Sequence, residues 1–396
     1  MSEYQADLDL ITRNLQEVLN KPILEQVFID GRKPKIYWGT APTGKTHCGY
    51  FVPMTKIADF LKAGCEVTVL LANLHAFLDN MKADISVLQY RVQYYERTVK
   101  AMLKAIGVPI EKLKFVVGDS YQLQADYTMD IFKMCNVVSQ NDSKRAGAEV
   151  VKQTDNPMLS GLLYPLMQAL DEQYLDVDAQ FGGVDQRKIF VLAEENLPSI
   201  GYKKRAHLMN PMVPGLGQGG KMSASDPGSK IDLCEDPASV KKKIAKAYAA
   251  PGEVENNGLL GFLQYVIFPV ADIKKKEVPF YIARDEKWGG PISYTKYEDV
   301  VADYASEKLS PADLKIGMVD AINELLAPIR EELVDNKEFA DIEANAYPPE
   351  KVVKKKQKVK KIGTMYKGKD KKEPKQNTEN ETAEQTADKT ADLKIE

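Results

Sequence analysis

The chain has 396 residues, 44% of them hydrophobic, with 54 Lys and Arg against 57 Asp and Glu for a formal net charge of −3. That length holds two ordinary domains and a tail, and no apolar run reaches the roughly 18–20 residues needed to cross a bilayer. The N-terminus lacks a basic-then-apolar leader, and Cys48, Cys65, Cys135 and Cys234 are widely spaced beside only His47, His75 and His207, so composition argues for a soluble, cytoplasmic protein without structural zinc or a disulfide framework.

Residues 1–30 read as helical, with apolar residues at Leu8, Ile11, Leu15, Val18 and Leu19. Lys35–Gly39 reads as a strand and Tyr50–Ala63 as a helix; between them Thr43-Gly44-Lys45-Thr46-His47 sits where a helix would begin. A helix start offers free N–H groups and partial positive charge, which suits phosphate. The β-branched run Glu66–Ala72 predicts a buried strand. A helix over 85–106, a strand over Leu113–Val117 and a helix over 125–138 follow.

In the helical segment 160–174, Tyr164, Gln168 and Asp171 fall at i, i+4 and i+7 and share one face. A polar stripe in an otherwise apolar segment suits a pocket wall. The plainer alternative has Asp171 capping a neighbouring element and Tyr164 in the core. Pro165 restricts Tyr164, so a first turn or a kink is expected there. Val177–Gln180 is a strand candidate, and Phe181-Gly182-Gly183-Val184-Asp185-Gln186 follows it. The paired glycines let a nucleoside approach the backbone at Gly183, and Asp185 is placed to take ribose hydroxyls. A helix over 185–196 and a last strand over Ala206–Asn210 complete the alternation, which argues for a parallel sheet covered on both faces.

Gly215, Gly217, Gly219 and Gly220 precede Lys221-Met222-Ser223-Ala224-Ser225. A lysine on such a mobile loop can engage phosphate charge chiefly in a transition state. From 231 the strand signal fades. Residues 237–249, 259–271, 292–307, 310–331 and 336–344 read as helical. Residues 350–375 hold 12 Lys against three acids, and 376–396 hold six acids against two Lys. A segment so poor in large apolar residues cannot bury a core.

Residues 44–50 resemble the "HIGH" signature of class I aminoacyl-tRNA synthetases, and 221–225 their "KMSKS" signature. The blocks Lys-Ile-Tyr-Trp-Gly-Thr (35–40), Ser-Gly-Leu-Leu-Tyr-Pro (160–165) and Phe-Gly-Gly-Val-Asp-Gln-Arg-Lys (181–188) are similar to the eukaryotic cytoplasmic tyrosyl members, fungal ones in particular. The resemblance covers roughly 10–345. It implies a Rossmann-like, doubly wound catalytic domain over 1–230, an α-helical anticodon-binding domain over 231–345 and a disordered basic-then-acidic tail over 346–396.

The resemblance also implies roles. His47 and Lys221 would act on the phosphates, with Thr43, Gly44, Met222, Ser223 and Ser225 beside ATP. Tyr164 and Gln168 would lie near the substrate ammonium, and Gln186 would bind the ammonium or carboxylate. Asp171 and Tyr37 would hold the phenol hydroxyl. Lys144, Arg145 and Lys152 fall in a region that supports dimer formation and acceptor-stem contact, and Trp288 would stack on an anticodon base, a core position being the alternative. The implied partners are L-tyrosine, ATP with Mg²⁺, tRNA(Tyr) and a second copy of the chain.

The chain departs from the pattern at Cys48, Tyr50, Asn73 and Ala224. The family commonly has Asp where Asn73 stands, which would remove a negative charge near the pocket. Ala224 replaces a lysine, and Mg²⁺, a monovalent cation near Lys221 or Lys45 could supply the charge. A tryptophan ligase of the same architecture would lack the Asp171–Tyr37 pair, since an indole has no hydroxyl. A non-catalytic RNA-binding protein on the same fold is the rival from another class. A dinucleotide oxidoreductase lacks its glycine fingerprint.

Overall fold

Six segments, most of them rich in β-branched and apolar residues, meet in one sheet ordered β1-β6-β5-β2-β3-β4. They are β1 (Glu17–Leu19), β2 (Lys35–Thr40), β3 (Glu66–Leu71), β4 (Leu113–Val117), β5 (Ala179–Gly183) and β6 (Ala206–Asn210). The computed structural model describes residues 4–79, 83–151, 158–217, 228 and 230–349. All neighbouring pairs are parallel except β1–β6. Strand β2 lies between β3 and β5, with Tyr37 opposite Thr68 on one side and Gln180 on the other. The chain leaves β2 toward β3 on one flank and returns to β5 on the other. Ligands of doubly wound sheets bind at such a switch, beyond the carboxyl ends of the strands.

Helices cover the sheet because the strands are apolar on both sides. Phe51–Lys62 and Leu88–Ala105 contribute Phe51, Ile57, Phe60, Val99 and Met102 to the main core. A second cluster joins helix Ala125–Val137 to Leu159–Tyr174 and Arg187–Asn196 through Tyr127, Met134, Leu170 and Ile189.

Three local readings change. The N-terminal thirty residues are two helices, Gln5–Thr12 and Lys21–Ile29, separated by β1. Asn14 and Asn20 adopt positive φ of 59° and 55° there, a conformation Asn tolerates, and pairing with β6 overrides helical periodicity. The apolar run 259–271 contains a π-turn over Leu263–Ile267, between Gly258–Phe262 and Phe268–Ile273. The α-rich half also holds a hairpin, β7 (Phe280–Ile282) with β8 (Ile292–Tyr294), so Ile292–Tyr294 is strand and the helix begins at Tyr297.

The chain up to Pro348 forms one compact unit, and a second unit begins at Pro349. Within the first, the long helix Pro311–Leu333 and the last helix, Lys337–Ala346, both pack on Leu88–Ala105. Asp236 caps helix Pro237–Lys246, its carboxylate accepting the N–H groups of Ala238 and Ser239 at 3.0 Å each, a cap of about 1 kcal/mol. No described helix is long and apolar enough to cross a membrane.

Candidate active site

A cavity of about 350 Å³ opens at the carboxyl ends of β2 and β5. Its inner end is built by Tyr37 of β2 and by helix Leu159–Tyr174, which runs unbroken through Pro165, beyond its first turn. That helix places Tyr164, Gln168 and Asp171 on the cavity wall together; Asp171 accepts side-chain donors rather than capping an element, while Tyr164 belongs to the second core cluster as well.

Asp171 is 1% exposed. Its Oδ1 accepts three hydrogen bonds: from the Tyr121 hydroxyl at 2.7 Å, Gln122 Nε2 at 2.8 Å and the Tyr127 hydroxyl at 3.0 Å. Its Oδ2 has no hydrogen-bond partner. A buried lone oxygen costs on the order of 1–3 kcal/mol unless a ligand supplies a donor. Burial pushes the Asp171 carboxyl up to about 7, against the downward pull of its three donors. Tyr37 is buried beside it, and burial and the Asp171 charge raise its phenol well above the ordinary value. The Tyr37 hydroxyl donates to the Gln168 carbonyl at a long 3.4 Å.

His75 completes this end. Its imidazole meets the Tyr164 ring edge-on at 4.7 Å, and its Nε2 lies 3.7 Å from Asp171 Oδ2. Both ring nitrogens are buried without hydrogen bonds, and burial lowers the ring to about 4. Nothing in the sequence ties this histidine, or the Tyr121, Gln122 and Tyr127 donors, to Asp171, because the donors reach it from 44 to 50 residues away and His75 from farther still.

Midway, Gln168 Nε2 donates to Gln186 Oε1 at 2.8 Å. A Cβ at Gly183 would sit 2.5 Å from Asp185 Oδ1, so a side chain there would shift that carboxylate. Asn210 at the end of β6, with Pro211 and Met212 after it, continues along the cavity.

His47 lines the other end. It caps the short 3-10 turn Cys48–Tyr50, its Nδ1 accepting the Gly49 N–H at 3.2 Å. Burial, then Lys230, depresses its ring to about 4. The imidazole is therefore neutral, and with Nδ1 accepting, its proton is assigned to Nε2. In the free protein His47 thus presents the cavity with a hydrogen-bond donor rather than a charge. Thr43 and Gly44 are not among the described residues lining the cavity. The Thr43 carbonyl accepts Arg91 Nη1 at 2.6 Å, and the Gly44 carbonyl accepts the Tyr95 and Tyr347 hydroxyls at 2.6 and 2.8 Å. Lys45 pairs with Glu343 at 2.7 Å.

Asn73 does not line the cavity. Its Oδ1 accepts the N–H groups of Leu74 and Asp119, each at 3.0 Å, tying the start of one helix to the turn after β4. Lys152 and the loop Lys221, Met222, Ser223, Ala224 and Ser225 lie outside the described residues. Lys144 and Arg145 are exposed on helix Gln140–Ala146, with Arg145 paired to Asp142. Trp288 is 69% exposed, which rules out the core reading. No group of three or more His, Cys, Asp or Glu able to hold a metal occurs among the described residues.

The family model for class I tRNA synthetases of the tryptophan and tyrosine type matches residues 30–327. The chain is 68% identical over 365 residues to the cytoplasmic tyrosine–tRNA ligase of Saccharomyces cerevisiae, covering 91% of this chain and 92% of that one. It is 57% identical over 339 residues to the cytoplasmic tyrosine–tRNA ligase of Danio rerio, covering 86% of this chain but only 62% of the longer relative. Among solved structures, the tyrosyl-tRNA synthetase of Archaeoglobus fulgidus complexed with L-tyrosine superposes with a TM-score of 0.76 at 38% identity, covering 83% of this chain and 99% of that one. The chain therefore belongs to the class I tRNA synthetases, and within them to the eukaryotic cytoplasmic tyrosyl type.

Proposed function

We propose that the protein is a tyrosine–tRNA ligase that activates L-tyrosine with ATP and passes it to the 3′ adenosine of tRNA(Tyr). The observation that carries this is the lone Asp171 Oδ2, buried on the wall of a cavity that the buried Tyr37 also lines. A phenol hydroxyl donates to Asp171 and accepts from Tyr37, whereas an indole has one N–H donor and no oxygen to accept from Tyr37. A site built to hydrogen-bond a hydroxyl rejects an analogue lacking it far more strongly than a size filter does.

With the phenol seated, Gln168, Gln186 and Tyr164 hold the amino-acid end. The ribose lies at Gly183 and Asp185, and the phosphates lie toward His47 and the Lys221 loop. The tyrosine carboxylate is already ionised at neutral pH and attacks the α-phosphate directly. The protein's part is alignment and stabilisation of pyrophosphate charge. Mg²⁺ carried by the triphosphate would offset phosphate charge at the His47 end. A monovalent cation near Lys221 is one replacement for the lysine that Ala224 lacks; Lys45, being paired with Glu343, is the weaker one.

The adenylate is then attacked by the 2′-hydroxyl of the terminal adenosine. Residues 1–230 serve as the catalytic domain and 231–345 as the anticodon-binding domain, where exposed Trp288 is free to stack on a base. Lys144, Arg145 and Lys152 are the candidates for acceptor-stem contact, and the lysine tail 351–375 adds a sequence-blind phosphate grip. The enzyme works as a homodimer in the cytoplasm, and the lysine runs are candidates for directing nuclear entry. ATP–pyrophosphate exchange assayed across all twenty amino acids tests this reading. Exchange with tyrosine alone is expected; exchange with tryptophan, or with none, overturns it.

A further inference from the structure

The turn preceding His47 is held from outside the cavity by residues 343–347, some 300 residues away in sequence. Three consecutive residues of the turn are tied. Arg91 donates through Nη1 to the Thr43 carbonyl at 2.6 Å and through Nε to the Ala346 carbonyl at 3.0 Å, so one guanidinium bridges the turn to the end of helix Lys337–Ala346. The Gly44 carbonyl accepts the Tyr347 hydroxyl at 2.8 Å beside that of Tyr95. Lys45 Nζ pairs with Glu343 at 2.7 Å.

The contacts are also packed. The Arg91 guanidinium lies 4.9 Å from the centre of the Tyr347 ring, and Tyr94 meets Tyr347 at 5.1 Å and Phe339 at 5.3 Å. The Tyr95 hydroxyl, bonded to Gly44, also contacts the Tyr50 hydroxyl at 3.2 Å, and the Tyr50 ring packs edge-on against His47 at 5.2 Å. A continuous set of contacts therefore runs from the C-terminal helix to the imidazole at the phosphate end of the cavity.

We infer that helix Lys337–Ala346 and Tyr347 form a latch that fixes the phosphate turn, making Tyr347 and Arg91 positioning residues for ATP. A carbonyl that accepts two hydroxyl donors and a lysine held by a carboxylate leave the turn one arrangement. The phosphate donor that follows it is thereby preorganised. Neither residue lines the cavity, so neither touches substrate; both act through Thr43 and Gly44. The latch rests on the reading of the His47 end as the ATP site.

The test is tyrosine-dependent ATP–pyrophosphate exchange with the full-length protein, varying ATP and tyrosine separately, alongside thermal unfolding. Tyr347→Phe keeps the ring packing and removes one hydrogen bond. It is expected to raise KM for ATP about fivefold, the usual worth of one such bond, and to leave KM for tyrosine unchanged. Arg91→Lys is expected to do the same more strongly. Should either variant fold poorly, Glu343→Gln, which frees only Lys45, carries the same expectation. A role in stability alone would lower Tm and the active fraction while leaving both KM values unchanged. That outcome, or equal rises in both KM values, overturns the latch while leaving the tyrosine–tRNA ligase reading intact. A wild-type enzyme without tyrosine-dependent exchange overturns both.

Discussion

Asp171 divides its two oxygens between structure and chemistry. Oδ1 takes every donor that the protein offers, and Oδ2 is kept for a ligand. Because burial raises this carboxyl to about 7, its ability to accept from a phenol depends on pH near neutrality. Below that value the free enzyme carries a protonated carboxyl and loses the acceptor; above it the carboxylate is present. The kcat/KM for tyrosine should therefore fall as pH drops through about 7 and level off above it, and Asp171→Asn should flatten that limb of the profile. Tyr37→Phe, which removes one hydrogen bond to the substrate, should lower kcat/KM for tyrosine by about five- to tenfold without unfolding the protein. At this scale the sequence was informative where periodicity gathers residues on one element: Tyr164, Gln168 and Asp171 form one stripe. It was silent on Tyr121, Gln122, Tyr127 and His75, which reach the same point from other elements.

Elements were legible where side chains repeat with one period. The strands at 35, 66, 113 and 206 announce themselves by apolar runs, and the covering helices by their stripes. β1, β7 and β8 were not legible, because three-residue strands carry too little pattern and are set by the partner they pair with. The join between the two halves depends on a close backbone approach that no propensity scale records. Gly258 opens helix Gly258–Phe262, and a Cβ there would lie 2.3 Å from the Gly215 carbonyl oxygen. Gly258→Ala must move backbone, so urea denaturation should show a loss of about 1–3 kcal/mol. Unchanged stability would mean that the loop at 214–217 yields freely.

On the scale of the whole molecule, Met129 and Phe132 stand on one face of helix Ala125–Val137 at 55% and 61% exposure, with Leu123 at 69% nearby. Large apolar side chains clustered on a helix face suit an interface, and this face is the candidate surface for the proposed homodimer. Phe132→Asp should shift the protein to a monomer in sedimentation analysis while its secondary structure is retained. The lysine-rich segment after 349 carries charge but little apolar surface. Removing 350–396 should leave adenylate formation intact while weakening tRNA charging and flattening its dependence on salt. Equal salt slopes for the full and shortened chains would remove the tail from RNA binding.

The most direct measurement on the central claim is the ratio of kcat/KM for tyrosine over phenylalanine in pyrophosphate exchange, compared between the wild type and Asp171→Ala. If the buried carboxylate grips the phenol hydroxyl, the substitution lowers tyrosine use about a hundredfold or more, spares residual phenylalanine use, and the ratio collapses. A ratio that survives the substitution, or falls only because both substrates lose equally, would contradict it.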